Sequence, residues 1–545
     1  MHSSKGKGWI LATLAITLVV LAPVATLLLR ATQGSFDHWQ HLLAYVLPTA
    51  VSNTLLLLLG VGVLVSVIGV GCAWLVTAYQ FPSRRVLVWA LLLPLAVPTY
   101  IVAFAYLDIL HPIGPVQGLI RDLLGYTSPR QFRLPDLRSL GGAIFLLGFV
   151  LYPYVYLSTR AMFATQSASL LEAGRVLGAS SRSVFFRVAL PMARPAIAVG
   201  VSLALLETLN DIGASEFLGV HTLTVSIYTT WVTRSDLAGA AQIALAMLVF
   251  VLTLIMLERY GRRRQGFSHN QRSRRMQPQT LRGGAALLAI CLGWLPVLLG
   301  FVAPALYLLN ASFKYLDKTG AVSAQLLASA WNTLHIALLT TLVTVTLGLI
   351  VAWTLRRVRS GQSSGRLQGL LRLSSIGYAI PGTVLAIGLL GPLVLFDGLL
   401  NRLAGNGPGL VLMGSSAALV LAYSLRFLAI SSGGIEAGLM RIPPSMEQAA
   451  RLLGHGPAQV LWRIHLPLLR PAVGAAALLI FVDAMKELPA TLLLRPMNFE
   501  TLATWLYAEA ARGTYEEGAV AALAIVLAGL IPVLLLARSQ RNDRY

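Results

Sequence analysis

Stretches of about twenty mostly apolar residues, long enough to cross a ~30 Å hydrocarbon core at ~1.5 Å rise per residue, recur along the chain between polar segments. They begin near Trp9, Ala50, Leu87, Leu140, Ala196 and Ala240, and again near Ala285, Trp331, Leu370, Leu410, Ala472 and Ala519. In lipid every backbone N–H and C=O has to be satisfied within its own segment, so these stretches are expected as helices. The pattern predicts an all-α polytopic membrane protein of about 12 transmembrane helices. The basic MHSSKGKGW before the first stretch resembles the start of a cleaved signal peptide. Ile10 to Leu29 is long, however, and no clear small-residue cleavage site follows, which favours a retained helix.

One polar segment occurs twice. EAGRVLGASSRSVFFRVALPMARP runs from Glu172 to Pro195, and QAARLLGHGPAQVLWRIHLPLLRP from Gln448 to Pro471. Gly178 and Gly454, Pro191 and Pro467, and Pro195 and Pro471 are each 276 residues apart. Other pairs keep nearly the same offset: Asn53 and Asn332 (279), Pro98 and Pro381 (283), Tyr228 and Tyr507 (279). The chain therefore divides into two six-helix halves, 1–257 and 285–545, joined by a linker at 258–284, with the repeated loops at about 169–195 and 445–471. Six spans bring each half back to its starting side, so the halves are parallel repeats about an axis along the membrane normal. A path between two such halves suits transport.

Charge sharpens the orientation. Only 12% of the 545 residues are charged, and the mean hydropathy is +0.73. The net charge of +21 is unevenly placed: eight arginines lie between Glu258 and Gly284. More lie around Arg84 and Arg85, from Arg356 to Arg372, and in the C-terminal RSQRNDRY. With twelve spans these segments share one side with the N-terminus, so both termini and both repeated loops are expected in the cytoplasm. Such a placement reads as orientation in membrane lipid, with no nucleic-acid partner. The loop from His111 to Arg138 weakens the rule, with several arginines on the opposite side, though acids accompany them. Cys72 and Cys291 fall within apolar spans as two buried thiols, which suggests neither a disulfide framework nor a metal site.

The repeated segment reads as helix–turn–helix. In the first copy Ser169 to Leu177 makes a short helix, Gly178 suits a left-handed C′ position, and Ser180 caps a second helix running to Pro191. In the second, Gly454 closes the first helix and Pro457 takes the N1 position. Val184, Phe185 and Val188 share a face, as do Val460, Leu461 and Ile464. Arg175 matches Arg451, Arg187 matches Arg463, and Arg194 matches Arg470. This pattern resembles the EAA loop of binding-protein-dependent ABC importer permeases, which seats in a groove of the ATP-binding subunits. The resemblance covers Glu172, Ala173, Gly178, Leu190 and Pro191, and again Ala449, Ala450, Gly454, Leu466 and Pro467. Two departures stand out: the family's Glu position is Gln448 in the second copy, with Glu447 one place earlier, and Gly174 replaces the second Ala in the first.

The chain offers no ATP site of its own. GLVLMGSS at Gly409 comes nearest a phosphate-binding loop, but Ser415 stands where the lysine belongs and the stretch reads as part of an apolar span. The resemblance implies a transport subunit rather than an enzyme, binding no cofactor. ATP and magnesium would sit on two copies of a separate ATP-binding cassette subunit, and a periplasmic or lipid-anchored binding protein would deliver substrate.

Acidic residues mark the fifth span of each half. Glu207 and Asp211 are repeated 276 residues later as Asp483 and Glu487, with Lys486 beside the second pair and Asn210 beside the first. Residues at i and i+4 share a helix face, and buried charge normally faces a bundle interior or water, so these side chains are candidates for a translocation path or gate. Hydrated-vestibule positions or helix-fixing salt bridges are the alternative. No metal ligand set is expected among them, because helical carboxylates without nearby His or Cys bind transition metals poorly. Within the family, the fused halves and MKELPATLLLRP (Met485 to Pro496) resemble ferric-iron permeases, although thiamine and polyamine permeases remain open. A twelve-helix secondary transporter is the rival from another class, but it has no use for the repeated loops.

Overall fold

The computed structural model describes residues 4–33, 40, 42–165, 180–262, 278–360, 365–403 and 409–542. Helix accounts for nearly all of the regular structure among them; Tyr79–Gln80 pairs in parallel with Gln279–Thr280 as two-residue strands. Eleven of the described helices are long and apolar enough to cross a membrane, and the pair Arg84–Ala96 and Thr99–Ile109 makes a twelfth if taken as one span bent by 93°. Pro98 causes that bend. Its ring disfavours helical geometry in the preceding residue, and Val97 is extended at φ −107°, ψ 116°. Pro381 does the same to Ile380 (φ −84°, ψ 120°), so the span expected near Leu370 begins at Gly382. The one expected near Leu410 begins at Ser416, which leaves Gly409 to Ser415 outside the span, contrary to the sequence reading. Cys72 is buried as expected, whereas Cys291 lies exposed on its helix.

The Leu-Pro pairs do not end their helices, as the sequence suggested they would. Ser181–Val184 passes through a π turn, Phe185–Ala189, directly into Leu190–Asn210. Pro457–Val460 likewise passes through Leu461–His465 into Leu466–Met485. Proline lacks an N–H and its ring crowds the carbonyl four residues back, which normally breaks a helix. The widened turn relieves this by shifting the preceding N–H one residue further: Leu190 N–H bonds to Phe185 O and Leu466 N–H to Leu461 O. The same device precedes Pro48 and Pro304, through π turns at Leu42–Val46 and Leu298–Val302.

By packing, the chain forms two compact units, each assembled from both halves of the sequence. One contains Met1–Leu42, Ile227–Leu248 and Val322–Trp505; the other contains Leu43–Ser226, Val249–Ala321 and Leu506–Tyr545. Each unit thus takes its four middle spans from one half and its flanking helices from the other.

In the unit centred on the first half, Leu47–Ala78 lies along Leu140–Thr165 so closely that a Cβ on Gly69 would fall 2.7 Å from Val155 Cβ. The segment from the other half is fixed by polar bonds: Tyr106 Oη–H donates to Leu299 O (2.7 Å) and Tyr307 Oη–H to Asp108 Oδ2 (2.7 Å). In the unit centred on the second half, a Cβ on Gly348 would fall 2.1 Å from Ser431 Oγ. Gly348 follows Gly69 by 279 residues and Ser431 follows Val155 by 276, so both halves need a bare backbone at the same crossing. There Thr13 Oγ1 donates to Thr354 Oγ1 (2.9 Å) and Gln242 Nε2 to Ala31 O (3.2 Å).

The Asn-Thr repeat also has a structural cause. Asn53 Nδ2 donates to His221 O (3.2 Å), and Thr54 Oγ1 accepts from Leu223 N (3.0 Å). In the other half Asn332 donates to Glu500 O (3.0 Å) and Thr333 accepts from Leu502 N (2.8 Å).

Candidate coupling elbows and buried carboxylates

The second elbow is described throughout. Pro444–Leu452 ends with Leu453 N–H on Ala449 O (3.1 Å) and His455 N–H on Ala450 O (3.0 Å), closing over Gly454 at φ +80°. Only a left-handed residue completes this closure, and glycine adopts that conformation without a Cβ penalty. Pro457 then opens the next helix. Val460 and Leu461 are buried and Ile464 packs beside them against Trp353, Leu439 and Leu469, as their shared face predicted. Gln448 and Ala449 are exposed while Ala450 is buried; Arg451 sits in the helix, Leu466 is half-buried and Pro467 exposed.

The carboxylate turned inward is Glu447. Arg356, near the end of Ala324–Ser360, donates through Nε to Glu447 Oε1, through Nη2 to Ile442 O (2.9 Å) and through Nη1 to Leu439 O. His465 Nε2 lies 3.2 Å from the same Oε1, with its ring 5.0 Å from that of Trp353. The close approach of His465, followed by the bond and charge of Arg356, outweighs burial and holds the Glu447 carboxyl down to about 2. A carboxyl depressed in the folded state stabilises above its unfolded pKa, near 4.5, and loses that contribution as pH falls towards 2. Wild-type thermal stability in detergent is therefore expected to drop between those limits by up to ~3 kcal/mol, from ~1.4 kcal/mol per pKa unit. Glu447→Gln should flatten that part of the profile; an unchanged acid limb would refute the clamp.

The first elbow is described in part. Glu172, Ala173, Arg175 and Gly178 lie outside the described residues. From Ser180 onward the expected cap is present, with Ser183 N–H on Ser180 Oγ at 3.3 Å. Val184 is buried, Leu190 and Pro191 are half-buried, and Phe185 packs 5.0 Å from Trp74, which also meets Phe163 at 5.3 Å. Trp74 precedes Trp353 by 279 residues, so both elbows rest on a tryptophan. The positions matching Arg356 and His465 are Thr77 and Ala189.

The four carboxylates do not share helix faces. Leu190–Asn210 ends before Asp211, which is extended (φ −77°, ψ 111°). Asp211 Oδ1 accepts Ala214 N–H at 2.7 Å and Oδ2 accepts the Thr99 hydroxyl. Glu487, likewise past the end of Leu466–Met485, accepts Ala490 N–H (3.2 Å) and Arg426 Nη1 (2.8 Å) on Oε1. Both acids are buried, and each, one residue before the N-cap, accepts a first-turn N–H of the short helix that follows it, Gly213–Phe217 or Pro489–Leu494. Such a bond satisfies an N–H that the helix itself cannot. Asp483 pairs with Lys486 at 2.9 Å, both partly exposed, and Glu207 is half-buried.

Sequence reasoning missed Arg426, Arg356, His465 and Thr99. A lone arginine inside LVLAYSLRFLAISS is a usable signal, because buried charge in a span requires a partner.

Two parallel six-helix repeats, each with a Gly-hinged or Ser-capped elbow leading into a span, define a membrane transport permease. Residues 66–267 and 344–542 match the family described as binding-protein-dependent transport system inner membrane component, and the chain belongs to that family. It is 25% identical over 531 residues to the Fe(3+)-transport system permease protein FbpB 2 of Haemophilus influenzae, covering 96% of this chain and 97% of that one. It is 23% identical to the probable ABC transporter permease protein y4fN of Sinorhizobium fredii, with 97% and 94% covered. The sulfate transport system permease protein CysT of Salmonella typhimurium is 25% identical over 46% of this chain and 91% of its own. Family membership sets aside the secondary transporter.

Proposed function

We propose that this chain forms the inner-membrane channel of a ferric-iron importer, with both termini and both elbows in the cytoplasm. A periplasmic or lipid-anchored binding protein delivers the substrate, and two ATP-binding cassette subunits supply the work. The observation that carries this reading is collinearity: both fused halves align end to end with a relative named for Fe(3+) transport. ATP-driven closure of the partner subunits brings the elbows together. In the second half the Arg356–Glu447–His465 cluster ties the elbow to Ala324–Ser360, so elbow motion is carried into that unit. The path then alternates between outward and inward access. Asp211 and Glu487 hold the short helices in place, and Glu207 together with the Asp483–Lys486 pair are the candidates for the path.

Reconstitution with the ATPase and a panel of loaded binding proteins tests the assignment. A ferric-loaded protein is expected to raise ATP turnover severalfold, and thiamine-, polyamine- or sulfate-loaded ones are not. Stimulation by one of those alone would replace iron as the substrate. In the same vesicles Glu207→Gln with Asp483→Asn should lower uptake while ATPase assembly persists; unchanged uptake would remove these acids from the path.

A further inference from the structure

The arginine-bearing loop that opposes the charge rule contains a helix, Pro115–Leu124, that buries two polar residues and exposes leucines. Gln117 and Arg121 point into the protein, while Asp122 is exposed at the edge of the leucine side. Gln117 is 2% exposed, donating to Leu110 O (2.7 Å) and accepting from Leu134 N–H (3.1 Å); Arg121 is 7% exposed and donates to Pro112 O (2.8 Å). Its apolar residues point out, with Leu119 61% and Leu123 78% exposed one turn apart, flanked by Ile113 and Leu124. Water would penalise this arrangement, since the buried polar groups are satisfied within the protein and the leucines are left wet.

We propose that Pro115–Leu124 is an interfacial anchor. It lies on the leaflet opposite the elbows, with Leu119 and Leu123 among acyl chains and Arg130, Arg133 and Arg138 towards lipid phosphates. The chain dictates the depth. Only five residues separate the end of the span helix Thr99–Ile109 from Pro115, and Leu140–Thr165 starts the next crossing, so the helix cannot leave the membrane surface. All three arginines are exposed, and the one acid among them, Asp136, stands 4.0 Å from Arg133. Tyr126 stacks on Phe132 at 6.4 Å, placing an amphipathic tyrosine ring where a bilayer surface favours it. An amphipathic helix with basic flanks binds an anionic interface through its buried apolar area and charge together.

Single cysteines at Leu119, Leu123 and, as an aqueous control, the 95% exposed loop residue Met497, in a Cys72→Ala and Cys291→Ala background, test this in the full chain. The chain is reconstituted into phosphatidylethanolamine–phosphatidylglycerol vesicles and each site carries an environment-sensitive fluorophore. Labels at 119 and 123 are expected to be quenched about threefold more by lipid carrying a shallow spin label than by aqueous iodide, with the order reversed at 497. Stronger iodide quenching at 119 and 123 would overturn the anchor. So would protection from lipid quencher that appears only when a binding protein is added, because the face would then be a protein-docking site. Arg130→Ala, Arg133→Ala and Arg138→Ala together should lower lipid quenching about twofold, and unchanged quenching would remove the phosphate contacts from the proposal.

Discussion

Arg426→Ala is expected to destabilise the chain by about 3–5 kcal/mol, because Glu487 would keep its charge in a buried site with its cation gone. The pair is 2.8 Å apart, with 8% and 5% of the two side chains exposed. The neighbouring Gly382 makes room for it: a Cβ there would fall 2.4 Å from Arg426 Nη1 and 2.8 Å from Glu487 Oε1. The first half solves the same problem without a cation. At the positions matching Gly382, Arg426 and Glu487 it has Thr99, Val150 and Asp211, and the Thr99 hydroxyl takes the place of the guanidinium. Converting the second set into the first, with Gly382→Thr, Arg426→Val and Glu487→Asp together, should therefore recover most of the loss. Lys318→Ala is the comparison, since Lys318 and Glu516 are 65% and 41% exposed and such a pair contributes about 0–1 kcal/mol. Thermal unfolding of detergent-purified protein decides the matter. An Arg426→Ala shift no larger than that of Lys318→Ala would show that Glu487 is not held by charge.

That exchange also marks where the sequence stops being readable. Helix count, the twofold repeat and the Gly454 turn follow from periodicity and from backbone rules local to a few residues. The Ser180 cap is similar. The Leu-Pro helices are misread, because a proline reads as a stop unless the turn before it can widen, and nothing local to Leu190 or Leu466 announces a π turn. The shared face expected for Glu207 and Asp211 fails for a related reason: the i, i+4 rule assumes that the helix continues, and Asp211 is the residue on which it ends. Arg426 with Glu487, and Arg356 with Glu447, join residues 61 and 91 positions apart. Such pairs become visible only when helices cross, although a lone arginine in an apolar span signals that some distant acid must answer it. The assembly of each unit from segments of both halves is further from the sequence still, since the offset of 276 to 283 records duplication and carries no information on which copy of a helix packs where.

Leu452→Asp with Leu453→Asp is expected to lower ATP-driven uptake by more than about tenfold while leaving the folded chain intact. These residues close Pro444–Leu452 at the tip of the second elbow, 89% and 78% exposed, and both precede the span that begins at Ala458. Two adjacent leucines held outward by a rigid Gly454 turn are a poor arrangement for an isolated surface and a good one for a partner's groove, where a buried apolar anchor is worth about 2 kcal/mol or more. A loss of that size weakens binding about thirtyfold, at ~1.4 kcal/mol per factor of ten. Because the side chains contribute little to packing, unfolding temperature should barely change. Ala450→Asp supplies the contrast: Ala450 is 3% exposed in the cluster with Trp353 and Leu439, so a charge there should unfold the elbow itself. Co-purification with the ATP-binding subunit separates the two cases. The double leucine variant should lose the partner yet elute as a folded chain, and a variant that retains both partner and uptake would place the motor's grip somewhere other than this tip.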